Sequence, residues 1–146
     1  HELELFAFKG HTHGDLAVFD HTTGVLFAGD LVFNQRAATT PHADIIDWLA
    51  SLQQLLKIPF KVLVPGHGKV SQDDQAIGQT RAYLVWLQTI LQQAAVNGLD
   101  MNEVMATPIP ADFKTVALAQ SELRRSIAHL YPVLEAEQLK PTQQVE

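Results

Sequence analysis

Three short stretches place metal-capable side chains beside glycine: Gly10-His11-Thr12-His13-Gly14-Asp15, Gly29-Asp30 and Pro65-Gly66-His67-Gly68. Imidazole and carboxylate suit zinc and similar divalent ions. A hydrolytic centre needs such groups fixed on rigid elements, with one coordination position left open to water. The adjacent glycines allow sharp turns and close approach of backbone or substrate. His11, Asp30 and His67 are therefore the candidate metal donors, and Asp30 is also the candidate catalytic carboxylate. The chain has no cysteine, which excludes thiolate ligands, disulfides and a thiol nucleophile.

Each stretch follows an apolar run that reads as a strand. Residues 3–8, 15–19 and 25–28 form three such runs, the last closed by Gly29-Asp30. The short link at residues 20–24 implies an antiparallel hairpin. Residues 31–39 read as an irregular loop. Thr40-Pro41 reads as a helix start, and Ile45, Trp48, Leu49, Leu52, Leu55 and Leu56 mark its buried face. Pro59 stops that helix, and residues 60–64 form a strand leading into Pro65-Gly66-His67-Gly68.

Beyond it, Ser71 with Asp74 resembles a capping box for a long amphipathic helix that Gly98 ends. Asp100 with Glu103 starts a short helix. A last helix runs through Leu123, Ile127, Leu130 and Leu134, with Pro132 expected to kink or split it. The tail after Lys140 is expected to fray. Strands first and helices later imply an α/β domain whose sheet is covered by helices on one face. One domain spans 1–146, with the sheet and metal motifs in 1–70 and the helices in 71–140.

The 146 residues fit one domain. Hydrophobic residues make up 47% and charged residues 18%, as in an ordinary soluble protein. No apolar run approaches the ~20 residues needed to cross a bilayer. The net charge of −6 argues against nucleic acid or an anionic membrane as partner. A soluble protein of bacterial cytoplasm or periplasm is expected. The chain starts at His1, directly before a strand-like run, which reads as a processed or excised start.

The segments GHTHGDLAVFD, VLFAGDLVF and KVLVPGHG resemble the third, fourth and fifth motifs of the metallo-β-lactamase-fold superfamily of binuclear metallohydrolases. The resemblance implies an αββα sandwich, of which this chain is the C-terminal half. It implies that His11 binds the first metal, that Asp30 bridges both, and that His67 binds the second. It further implies one or two zinc ions, with iron or manganese as alternatives. The chemistry implied is attack of a metal-held hydroxide on an ester, thioester, lactone or β-lactam-like bond of a small-molecule substrate. The wording NQRAATTPHADIIDWLASL is similar to a branch associated with quinoprotein or sulfur-oxidation systems.

The family's H-x-H-x-D-H motif has no counterpart in these residues. The chain alone is therefore expected to be inactive, and its partner to be the missing N-terminal half or a second copy in a homodimer. The alternative is a non-catalytic half-domain that self-associates or binds a partner.

His13 and Asp15 read as turn-stabilising groups, with support of a metal donor as the second reading. His13 also stands where many family members have proline. His42 reads as a first-turn residue and Arg36 as a surface residue; both are candidates for substrate contact because their loop follows Asp30. His21 and His129 read as structural or exposed, and Trp48 and Trp86 as core or interface.

Overall fold

The computed structural model describes residues 1–138, so the tail beyond Lys140 and the last two positions of the 71–140 segment lie outside the described residues. Four strands form one mixed sheet in sequence order: β1 (Leu3–Phe8), β2 (Asp15–Asp20), β3 (Val25–Phe33) and β4 (Val62–His67). β1 and β2 pair antiparallel from Leu3↔Asp20 to Phe8↔Asp15, and β2 and β3 form the expected hairpin. Asp20 organises that turn, accepting from Thr22 N at 2.9 Å and Thr23 Oγ1 at 2.8 Å. β4 runs parallel to β3, as a crossover through helix α1 (Ile45–Leu55) requires.

Several boundaries differ from the sequence expectation. β3 does not close at Gly29-Asp30. It shifts register at Gly29, which takes φ +55°, and continues to Phe33, so part of the expected loop is strand. The apolar run Leu31-Val32-Phe33 is fully buried, and that burial is what carries the strand past the irregularity. α1 starts at Ile45 rather than at Pro41. Its cap is Asp44, whose carboxylate accepts from Asp47 N at 3.0 Å, while Thr40 is buried and bonded elsewhere. β4 begins at Val62, two residues after the expected Phe60.

The capping box at Ser71 does not form. Ser71 instead bridges to Leu63, and Asp74 caps α2 (Gln75–Val96) without a side-chain bond. Gly98 does end α2: at φ +67° it donates to Ala95 O, and Leu99 donates to Ala94 O. The Asp100–Glu103 capping box starts α3 (Met101–Met105). α4 (Ala119–Gln138) runs as one helix through Pro132, which does not split it. Among the described residues no helix is long and apolar enough to cross a membrane.

The helices cover one face of the sheet. Trp48, Leu52 and Leu55 of α1 and Ile77, Leu84 and Leu87 of α2 bury against a core that includes Ala17, Phe19, Leu26 and Leu63. α4 adds Leu123, Ile127 and Tyr131, the last anchored by its hydroxyl to Leu99 O. The opposite face is bare. There Leu3 is 58% exposed, Leu5 65%, Leu16 54% and Phe27 47%; Leu16 and Phe27 alternate with the buried Ala17, Leu26 and Ala28.

Candidate metal centre

The C-terminal ends of β3 and β4 and the turn after β1 deliver the candidate donors. Asp30 lies just past the Gly29 irregularity, and His67 is the last residue of β4, in register with Phe33. Between them Gly66 is sterically required: a Cβ there would collide with Asp30 Oδ1 and stand 2.6 Å from the Gly29 carbonyl carbon. The turn holding His11 is fixed against α1. Gly10 leaves no space for a Cβ beside Trp48, and its carbonyl accepts from Asp44 N at 2.9 Å.

The structure brings all three candidate donors together around Asp30. Asp30 Oδ1 lies 3.5 Å from His67 Nε2, and Oδ2 lies 3.9 Å from His11 Nδ1. Both separations exceed a hydrogen bond. They approach the ~3.3 Å that separates two donors bound at about 2.0–2.1 Å to one tetrahedral zinc. Among the described residues no hydrogen bond engages the Asp30 carboxylate or the His67 ring, so these atoms remain available. No set of three or more His, Cys, Asp or Glu side chains among the described residues converges on a single metal position. Asp30 faces the two imidazoles separately, Oδ2 towards His11 and Oδ1 towards His67.

Two buried aromatic side chains form the floor. Phe33 stacks on His67 with centroids 4.8 Å apart and approaches His11 at 6.0 Å. Trp48 meets His11 edge-on at 5.3 Å and donates its indole N–H to Leu31 O at 2.9 Å. The His11 ring is held on its far side by Thr39, whose Oγ1 lies 3.1 Å from Nε2. Sequence reading assigned Trp48 to the core and missed Phe33 and Thr39. The apolar run after Asp30 was the available signal for Phe33; a lone threonine in a loop offered none.

The remaining candidates divide. Asp15 holds the His11 turn, accepting from Thr12 N at 3.1 Å and Thr12 Oγ1 at 2.7 Å, and its Oδ1 lies 4.0 Å from His11 Nδ1. His13 and His42 are both exposed and line one hollow of about 510 Å³ with Thr12, Lys9 and Asp44, beside the His11 turn. Arg36 is half-buried rather than a free surface residue. Its backbone bridges to Ala117, and its Nε is buried without a hydrogen-bond partner among the described residues. His21 and His129 are exposed, His21 pairing with Glu4 at 2.8 Å.

Residues 1–67 match the sequence model of the Metallo-beta-lactamase superfamily, a stretch that ends on His67 and contains all three candidate donors. Solved metallo-beta-lactamases share the architecture. The enzyme from Pontibacter korlensis is 31% identical with a TM-score of 0.52, over 57% of this chain and 41% of its own. TMB-1 is 27% identical with a TM-score of 0.53, over 59% and 42%. VMB-1 is 30% identical with a TM-score of 0.51, over 57% and 40%.

The fold is a partial metallo-beta-lactamase fold. The chain spans about two fifths of the length of these solved proteins. The expectation of a mixed sheet with helices from one part of such a fold is met.

Proposed function

We propose that this chain is part of a metal-dependent hydrolase in which His11, Asp30 and His67 are metal donors. His11 and His67 serve two half-sites that share Asp30. One observation carries the reading: a carboxylate stands between two imidazoles with one oxygen turned towards each, at 3.9 and 3.5 Å. The likeness to metallo-beta-lactamases supports zinc as the ion; iron and manganese suit the same donors. The ion, when bound, supplies the Lewis acidity that hydrolysis at a carbonyl needs.

The chain's own residues supply the rest. Asp30 is partly exposed and is the carboxylate available to take a proton from attacking water. His13 and His42 line a hollow beside the His11 turn and are the candidates for contact with substrate. An ester, thioester, lactone or β-lactam-like bond fits such a centre. Each half-site has two donors here, whereas catalytic zinc takes three protein ligands. These residues alone are therefore expected to bind zinc weakly and to turn over no substrate.

Equilibrium dialysis of the chain against zinc tests the assignment. The wild type should retain zinc, Asp30→Asn should lose it, and His11→Ala and His67→Ala should each lose one half-site. A wild-type chain that holds zinc no better than Asp30→Asn rejects it.

The bare sheet face favours a second, compatible reading, in which the chain associates through that face with another sheet layer, from the remainder of such a fold or from a second copy. Contiguous apolar surface of this kind marks an interaction site.

A further inference from the structure

A metal-binding imidazole is usually oriented by a partner on its other nitrogen, which fixes both ring angle and tautomer. In this chain that partner comes from the loop after β3. Thr39 Oγ1 lies 3.1 Å from His11 Nε2, leaving Nδ1 as the nitrogen that faces Asp30. In the tautomer that donates from Nε2–H to Thr39, the lone pair is on Nδ1, on the side of Asp30 and Asp15.

We propose that Thr39 is the positioning residue for His11, and that α4 holds Thr39 in place through Ser126. This rests on the reading of His11 as a metal donor. Thr40, the next residue, is fully buried, and its Oγ1 donates to Ser126 Oγ of α4 at 2.7 Å; Ser126 is also fully buried. The loop is tied at one further point, Ala37 N to Ala117 O at 2.9 Å, two residues before α4. The His11 ring is thus clamped between Trp48 on one side and a loop fastened to α4 on the other. α4 lies outside the stretch that matches the superfamily model, so this contact gives the unmatched part of the chain a role at the centre.

Thr39→Val removes the hydroxyl and nearly conserves volume; Thr39→Ser restores the hydroxyl. In metal-free chain, the His11 Nε2–H proton should give a slowly exchanging NMR resonance in wild type and Thr39→Ser, and none in Thr39→Val. Zinc affinity by titration calorimetry should fall roughly 10–100-fold in Thr39→Val, the usual loss for an outer partner of a ligand. Thr39→Ser should stay near wild type, and Ser126→Ala should weaken both signals partially.

A Thr39→Val chain that keeps resonance and affinity overturns the positioning role, as does a wild type without the resonance. An Ser126→Ala chain identical to wild type overturns the part given to α4. A wild type that shows the resonance but binds no zinc sinks the metal reading while sustaining the Thr39–His11 contact.

Discussion

At the scale of single residues, the centre depends on where side chains are absent as much as on where they are present. Gly66 and Gly14 both lie in the glycine-flanked motifs that carry candidate donors, yet their surroundings differ. A Cβ at Gly66 meets Asp30 Oδ1 and the Gly29 backbone; a Cβ at Gly14 meets nothing within 4 Å. Gly66→Ala should therefore displace Asp30, lower zinc affinity at least tenfold and cost about 1–3 kcal/mol in urea unfolding. Gly14→Ala should change neither measurement, with stability within about 0.5 kcal/mol of wild type.

Asp20 gives a residue-scale pH effect. Burial pushes its carboxyl up, but hydrogen bonds from Thr23 Oγ1 and the Thr22 and Thr23 amides outweigh this and hold it below the usual value. A lowered folded pKa means stability that is present above the unfolded value of ~3.9 and is lost as pH falls through the folded one. Melting temperature followed from pH 6 to pH 2 should fall less steeply in Asp20→Asn than in wild type. Equal slopes would show that the turn contacts do not favour the carboxylate.

Among the elements, α1 has a task beyond covering the sheet. It carries Trp48 to the His11 ring, 5.3 Å away, while Trp86 on α2 packs with Tyr83 and Phe113. In a Trp86→Phe background, cobalt(II) should quench the remaining indole fluorescence in a saturable way, and His11→Ala should abolish the saturable part. Quenching that persists in His11→Ala would place the ion away from that ring.

The strand–turn–strand order and the helix α1 were legible because apolar alternation and three- to four-residue spacing report burial directly. The β3 boundary was not. Gly29-Asp30 carries a turn signature, but fully buried Leu31, Val32 and Phe33 hold the chain in the sheet beyond it. Thr40-Pro41 misled for a related reason: the Thr40 hydroxyl is spent on Ser126, 86 residues away, which no local pattern reports. Within the centre, His11, Asp30 and His67 were readable from glycine-flanked motifs, whereas Thr39 and Phe33 act through contacts that only the folded chain creates.

For the whole molecule, the exposed sheet face is the feature that a single copy leaves unsolved. Val18 lies opposite Phe27 across β2 and β3, the two central strands, and Phe27 lies opposite Val64 across β3 and β4. Leu3 lies on the edge strand β1. Interfaces concentrate their energy in central, well-packed aromatic anchors, with rim positions contributing little. If another sheet layer covers this face, Phe27 is its anchor, worth roughly 1.5–3 kcal/mol as a buried side chain. A charge there would be desolvated by the partner at further cost.

Because Phe27 is 47% exposed in the single chain, Phe27→Glu should leave its circular dichroism and melting temperature nearly unchanged. In light scattering over rising concentration, wild type should shift towards a dimer, Phe27→Glu should remain monomeric, and Leu3→Glu should fall between them. A wild type that stays monomeric throughout excludes self-association through this face. A Phe27→Glu chain that still dimerises moves the contact elsewhere on the surface.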